Sequence, residues 1–328
     1  MSTLGDWARL LRVSALFTVP GDALAGAAAA GVRADRRILN AIGCSLCLYE
    51  AGMALNDWAD QDEDARERPD RPLPSGRIHP AAALGTAAGL TGAGLALAAR
   101  AGRPATVVAG ALAATVWAYD LKLKHTRAGA AAMGAARGLD LLLGAVVAGG
   151  TPLRPAVALS SAALAAHTYA VTRVARDETT GGSSVAPLAA LATSAAIASV
   201  LGAPGFRDRA DTDAKSRPGE PAHAYASDAP GAGRPVSGIL SAQGFHGARR
   251  LTAPALALVY GAAVARPYLH AALNPSPHLV QRAVGGGIRS LIPLQAALAA
   301  RAGAPAIGVA LMALVPMARR VSRKVSPT

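Results

Sequence analysis

Long apolar runs alternate with short polar segments along most of this chain. The runs that are long enough, or nearly long enough, to cross the hydrocarbon core of a bilayer as helices lie at about residues 10–30, 38–55, 80–99, 105–119, 128–149, 156–174, 185–202, 251–265, 286–300 and 305–317. The last two runs are short. The pattern therefore predicts an all-α, polytopic membrane helix bundle of about nine transmembrane helices, with eight or ten as the alternatives.

A polar stretch over residues 206–250 interrupts this alternation. It is rich in Pro, Gly, Ser and Asp and shows no period of 2 or 3.6 residues, which is typical of a disordered loop. We therefore predict three regions. Residues 1–205 hold the first seven helices and the acidic segments, residues 206–250 form the loop, and residues 251–328 hold the C-terminal helices and a basic tail.

The composition agrees with a membrane protein, because 52% of the 328 residues are hydrophobic, 16% are charged and the mean hydropathy is +0.30. Only 4% of the residues are aromatic, whereas Ala and Gly are abundant, which favours helices packed closely through small residues. The net charge of +13 could indicate binding to nucleic acid. However, the basic residues lie in short loops between the apolar runs, so we predict no nucleic-acid partner.

Basic residues are shared unevenly between these loops. The loops after the second, fourth and sixth runs lie on the side of the N-terminus and carry more Arg and Lys than the loops between them. Because cytoplasmic loops hold the excess of positive charge, we predict a multi-pass protein of the cell membrane with its acidic segments on the cytoplasmic side. The basic C-terminal tail favours that side too, which fits an even number of helices better than nine.

The densest group of charges follows the second apolar run, in the sequence NDWADQDEDARERPDRPLPSGRI. Asn56, Asp60 and Asp64 are four residues apart, and Asp57 precedes Asp60 by three, so on a helix these side chains share one face. Grouped carboxylates repel one another, and Mg²⁺ relieves that repulsion while it also binds waters and phosphate oxygens. The spacing therefore predicts a Mg²⁺ site. The alternative is a solvated acidic helix end.

The same residues resemble a family motif. The pattern Asn56-Asp57-x-x-Asp60-x-x-x-Asp64, followed by RPDRPLPSGR, is similar to the first aspartate-rich motif of the UbiA superfamily of intramembrane prenyltransferases. The resemblance implies an all-helical membrane bundle. It also implies that these four side chains hold Mg²⁺ against the diphosphate of an isoprenoid donor.

Two lysines follow the fourth apolar run. Lys122 and Lys124 come shortly after Tyr119, and ammonium groups can bind a diphosphate as point charges. In the UbiA superfamily a tyrosine and a basic pair lie at the corresponding helix end, near the diphosphate. The resemblance therefore implies that both lysines bind the donor, together with Asn56 and Arg71 of the first motif.

A second acidic motif departs from the superfamily pattern, which has two aspartates four apart and then a glycine after the sixth helix. Aligned on Tyr169 and Gly181, this chain has Asp177 at the second aspartate but Arg173 at the first. An arginine does not bind Mg²⁺, but it can reach a diphosphate or neutralise a carboxylate. Either Glu178 supplies the missing metal ligand beside Asp177, or Arg173 replaces a metal charge at the phosphate. The departure resembles the EboC-type branch of the superfamily, which is associated with gene clusters for making or exporting specialised metabolites.

Four charged residues fall inside the apolar runs. Asp22 and Glu50 lie in the first and second runs, and Arg137 and Asp140 lie three residues apart in the fifth. Charges at membrane depth are costly, and they usually face one another or a cavity. Two interpretations of Arg137 and Asp140 stay open here, a structural pair and a lining of the reaction cavity.

The resemblance implies Mg²⁺-dependent transfer of a prenyl group, within membrane lipid, from an isoprenoid diphosphate to an aromatic or other small acceptor. Asp57, Asp60, Asp64 and Asp177 would be the catalytic residues. A second hypothesis, favoured by Arg173, is a non-catalytic isoprenoid-lipid binding protein that assists metabolite export. A transporter would show internal repeats, and we find no convincing repeat between the two halves of the sequence.

Overall fold

The structure is a computed structural model, and it describes residues 3–12, 18–32, 35–178, 181–203 and 239–316. Within these ranges the chain forms helices joined by turns and contains no strand. The α-helices are α1 Leu4–Leu10, α2 Val19–Ala29, α3 Arg37–Ala59, α4 Gln61–Glu67, α5 Pro80–Ala101, α6 Arg103–Ala118, α7 Gly129–Val147, α8 Pro155–Ala175, α9 Val185–Gly202, α10 Ile239–Leu273, α11 Pro277–Arg289, α12 Leu291–Arg301 and α13 Pro305–Met312. A π-helical turn, Tyr119–Leu123, continues α6.

The all-helical membrane fold predicted from the sequence is confirmed, but the count of nine helices is not. In the described part of the chain, seven stretches are long and apolar enough to cross a membrane, namely Arg37–Ala59, Pro80–Ala101, Arg103–Leu123, Gly129–Val147, Val185–Gly202, Leu251–Leu273 and Pro277–Arg301. Three of the ten predicted runs are absent from this set. The run at 156–174 forms the 21-residue α8, which is long enough but not apolar enough, and the other two give short helices. Of the predicted span at 10–30, the structure describes only the 11-residue α2 as a long helix, and Pro305–Pro316 is too short to qualify.

The C-terminal spans differ from the predicted ones in length. The predicted run at 251–265 extends to Leu273, and the run at 286–300 becomes the longer stretch Pro277–Arg301. Ser290 separates α11 from α12 inside that stretch. Residues 206–238 of the predicted loop at 206–250 lie outside the described residues, whereas α10 already begins at Ile239.

Small residues let the helices pack closely around α2, which contacts α3, α7, α8 and α12. Where α2 meets α7, a Cβ atom on Gly144 would lie 2.5 Å from the Cα atom of Ala23. Gly26 similarly faces the Leu141 carbonyl with no room for a side chain. The two backbones therefore touch directly, as the abundance of Gly and Ala led us to expect.

The polar helix ends meet at one end of the bundle, where the turn after α3 lies against the π turn after α6. The segment after α8 lies against the turn between α10 and α11, because the Gly182 N–H donates to the Pro275 carbonyl at 2.8 Å. Gly181 has a φ of +65° and packs on the same carbonyl, so a side chain there is disfavoured both by backbone conformation and by space.

Candidate functional site

The first acidic motif spans two helices instead of one. α3 ends at Ala59, and Asp60 leaves helical geometry with φ −95° and ψ 7° before α4 begins. The Asp64 N–H still donates to the Asp60 carbonyl at 2.8 Å, so the spacing of a helix turn is kept across the break. The motif consequently divides into two groups, each set by helical periodicity.

Asp57 and Asp64 form the first group, and both are buried. One nitrogen of Arg71, Nη1, lies 3.4 Å from Asp57 Oδ1 and 2.5 Å from Asp64 Oδ2. Arg12 adds a contact of 3.2 Å to Asp57, and Arg68 lies 3.9 Å from Asp64. Arginines from the N-terminal segment and from the loop after α4 therefore neutralise this pair of carboxylates.

Asn56 and Asp60 form the second group, which faces the π turn. The Asn56 side-chain amide donates to Asp120 Oδ1 at 3.1 Å, and the Lys124 ammonium pairs with Asp60. The backbone N–H of Lys124 donates to the Tyr119 carbonyl, five residues earlier, at 3.0 Å. Such a π turn is frequent at functional sites, and this one brings Asp120 and Lys124 to the same side.

The two predicted lysines differ in their surroundings. The Lys124 ammonium is buried and its side chain is 11% exposed, whereas Lys122 is exposed and makes no hydrogen bond or ion pair with the described residues. Neither Asp120 nor Arg12 was predicted from the sequence to belong to this cluster. An acid directly after Tyr119, at the end of an apolar run, was the available signal for Asp120.

The second motif lies in the turn that follows α8. Asp177 and Glu178 are half-buried there, and the Gly181 N–H donates to the Asp177 carbonyl at 2.7 Å. Burial raises the pKa of Glu178, while the nearby positive charge of Arg68 lowers it by a smaller amount. Arg68 also lies 3.9 Å from Asp64, so its charge acts on acidic residues of both motifs. Arg173 is exposed and has no ion pair among the described residues.

A buried polar network lies deeper in the bundle. Arg137 Nε pairs with Asp22 Oδ2 at 2.9 Å, and the Gln295 amide donates to Asp22 Oδ1 at 2.7 Å. Asp140 accepts a short hydrogen bond from Ser45. The structural pair of Arg137 with Asp140 is not formed, because Arg137 forms its ion pair with Asp22 of α2. The other interpretation, lining of the reaction cavity, stays a prediction.

A family comparison agrees with this arrangement. The sequence model of the UbiA prenyltransferase family matches residues 14–205, which is more than half of the 328 residues. The chain belongs to the UbiA prenyltransferase family. The matched region holds both acidic motifs, the π turn, Asp22 and Arg137, whereas Arg12 and Gln295 lie outside it.

Individual relatives extend the comparison to sequence and fold. The digeranylgeranylglyceryl phosphate synthase of Methanopyrus kandleri is 33% identical over 114 residues, which is 35% of this chain and 40% of that enzyme. A UbiA homologue from Aeropyrum pernix K1 superposes with a TM-score of 0.58 at 19% identity, covering 86% of this chain and 96% of that one. A UbiA homologue from Archaeoglobus fulgidus bound to GPP and Mg²⁺ gives 0.56 at 16% identity, covering 94% and 99%. These solved structures share the UbiA fold with this chain.

The ligand atoms of the acidic cluster decide which cation it can bind. Asp57, Asp60 and Asp64 offer carboxylate oxygens, which are the ligands that Mg²⁺ prefers, and each is neutralised by a basic side chain. Asp60 also groups with Glu63 and His125, whose ligand atoms all lie within 4.8 Å of one another. That second group is more exposed and includes an imidazole, which suits transition metals better. By their donor type, the carboxylate oxygens of the first motif therefore fit Mg²⁺.

Proposed function

We propose that this chain transfers a prenyl group from an isoprenoid diphosphate to a small acceptor inside the membrane. The observation that carries the proposal is the pair of neighbouring groups at one end of the helix bundle, Asp57 and Asp64 with Arg71 and, from the same motif, Asp60 with Lys124. Carboxylates for a cation and bases for a phosphate are the two parts that such a reaction needs. The Archaeoglobus homologue bound to GPP and Mg²⁺ supports the same assignment.

The acidic residues would hold the metal. We assign Asp57, Asp60 and Asp64 of the first motif, with Asn56 beside them, and Asp177 with Glu178 of the second motif. When bound, Mg²⁺ would neutralise negative charge on the departing diphosphate. Arg68 supports a common site for both motifs, because it contacts Asp64 and its charge opposes the burial that raises the pKa of Glu178.

The basic residues would hold the diphosphate. Arg71 presents a planar fork that suits two phosphate oxygens, and Lys124 offers a compact charge from the π turn. We propose Lys124 as the principal lysine, because it is buried beside Asp60 whereas Lys122 is exposed. We also propose that Lys122 and Arg173 bind the isoprenoid diphosphate, at the exposed edge of the site.

We further propose that the second motif works with one acid fewer than the usual superfamily pattern, in the manner of the EboC-type branch. Arg173 stands at the position of the first aspartate, so Asp177 and Glu178 would form the metal-binding part of this motif. The same arginine favours the second candidate function, non-catalytic binding of an isoprenoid lipid. The acceptor would be an aromatic or other small molecule.

We propose that the acidic cluster faces the cytoplasm in the cell membrane. The cluster is surrounded by basic residues of the polar loops, including Arg12, Arg68, Arg71 and Lys124, and cytoplasmic loops carry the excess of such residues. This orientation would give the site access to diphosphates dissolved in the cytoplasm.

The deciding experiment measures diphosphate release by the purified protein in lipid vesicles. Geranyl, farnesyl and geranylgeranyl diphosphates are offered with aromatic and other small acceptors, with and without Mg²⁺. Asp60→Asn should abolish release, whereas Asp62→Asn, an exposed acid with no partner among the described residues, should leave it unchanged. Binding of the diphosphates without release under any pairing would reject the transferase and support the non-catalytic function.

A further inference from the structure

A small cavity opens between α10 and α11. Its volume is about 170 Å³, and the lining residues are Arg266, Pro267, His270, Leu279, Arg282 and Arg289. Four of these six side chains are arginine or histidine. None of them belongs to the proposed prenyl-transfer site.

Helical spacing brings the basic residues together. Arg266 and His270 are four residues apart on α10, and Arg282 and Arg289 are seven apart on α11, so each pair lies on one face of its helix. The two helices pack against each other and are joined by a short turn. The three guanidinium groups therefore surround one space.

No acidic side chain neutralises these arginines in the described part of the chain. The three make no hydrogen bond or ion pair there, and residues 239–316 contain no Asp or Glu. In contrast, Arg71 and Arg137 are paired with carboxylates. A cavity with uncompensated guanidinium groups is stabilised by an anion.

The surroundings of the cavity are those of a lipid-facing surface. Leu269, Leu273 and Ile288 are exposed on the same two helices, at 44%, 76% and 48%. Both helices belong to candidate membrane spans, and Arg289 lies at the end of the 13-residue α11, about 18 Å along its axis from the first residue. Charged residues at such depth are rare and mark functional sites.

We propose that this cavity binds the phosphate group of an anionic membrane lipid. The planar guanidinium groups suit bidentate contacts to phosphate oxygens, and basic pockets between membrane helices bind anionic headgroups. The acyl chains would lie along the exposed apolar side chains of α10 and α11. The turn between these helices contacts Gly182 of the second motif, so the bound lipid would support the segment that carries Asp177 and Glu178.

The test measures binding of phosphatidylglycerol to the full-length protein in detergent micelles by native mass spectrometry. Phosphatidylcholine serves as the zwitterionic comparison. Each of Arg266→Gln, Arg282→Gln and Arg289→Gln should weaken phosphatidylglycerol binding about tenfold, and the triple variant should lose saturable binding. Arg100→Gln, at an exposed position in the last turn of α5, is the matched control and should bind as the unmodified protein does.

If the triple glutamine variant folds, either of two outcomes would overturn the proposal. One is unchanged phosphatidylglycerol binding by the folded triple variant. The other is displacement of the lipid by inorganic phosphate or glycerol phosphate at equal concentration, which would identify a site for a soluble phosphate.

If the glutamine variants do not fold, the triple lysine variant keeps the charge but loses the planar guanidinium fork, and binding equal to that of the unmodified protein would reject the proposal. The readout is binding, so failure here leaves the prenyl-transfer proposal untouched.

Discussion

Arg137 and Asp22 form an ion pair of 2.9 Å between two helices, at a place where the carboxylate is fully buried. The side-chain amide of Gln295, on α12, donates hydrogen bonds to the Asp22 carboxylate and to the backbone carbonyl of Thr18. Three helices that are distant in the sequence therefore meet at one carboxylate.

Removing only the arginine should destabilise the fold. Arg137→Met leaves the Asp22 carboxylate buried without its cation, and breaking a buried pair in this way costs about 3–5 kcal/mol. The double variant Arg137→Met with Asp22→Leu should recover much of that loss, because no uncompensated charge remains. Unfolding in detergent measures both variants. A double variant no more stable than the single one would contradict the prediction.

Replacing Glu50 should stabilise the fold. Its side chain is 8% exposed, and neither carboxylate oxygen has a hydrogen-bond partner among the described residues. Because an unpaired buried polar group costs about 1–3 kcal/mol, Glu50→Leu should raise the free energy of unfolding by a similar amount. Glu50→Gln keeps the shape and a polar end, so it should gain less. A lower unfolding midpoint for Glu50→Leu would show that the carboxylate has a stabilising partner.

The two lysines after α6 should contribute differently to donor binding. Lys124→Gln should raise the KM for the isoprenoid diphosphate about 10–100-fold, because a charge-assisted hydrogen bond is worth about 1.5–3 kcal/mol. Lys122→Gln, on the exposed side of the same turn, should change KM by about twofold or less. Steady-state kinetics of the pair measures both effects. Equal effects would show that the exposure of Lys122 does not decide its role.

The N-terminal helix should loosen in acid. Hydrogen bonds from the backbone and side chain of Thr3, with the nearby Arg77 charge, lower the pKa of Asp6 below its usual 3.8. A carboxyl whose pKa is lowered on folding stabilises the fold above the unfolded-state pKa, and that stabilisation disappears as the pH falls through the folded-state pKa. The stability difference between the unmodified protein and Asp6→Asn should therefore shrink below about pH 4. Thermal unfolding from pH 6 to pH 3 measures it, and a constant difference would contradict the prediction.

Local spacing predicted part of the geometry of the acidic cluster. Asn56 and Asp60 are four residues apart and face the π turn, whereas Asp57 and Asp64 are seven apart and share Arg71. Both separations bring side chains to one side of a helix, but Asp60 and Asp64 are also four apart, and the sequence therefore predicted one face for all four side chains. The division into two groups was not predicted, because no glycine or proline marks the break at Asp60.

Contacts between distant segments could not be predicted in the same way. Arg12 lies 45 residues from Asp57, and Gln295 lies 273 residues from Asp22. Nothing in the periodicity of one helix indicates which partner another helix supplies. The number of membrane spans could not be predicted correctly either, because the hydropathy of residues 10–30 and 305–317 does not show where a helix ends.

The glycine contact between α2 and α7 determines the distance between the two charged groups of the buried ion pair. Gly26 and Gly144 hold the two backbones together, and the same two helices carry Asp22 and Arg137. A single methyl group at either glycine would push the helices apart, and the carboxylate and guanidinium would separate with them. The distance between two charged atoms is thus fixed by residues that have no side chain at all.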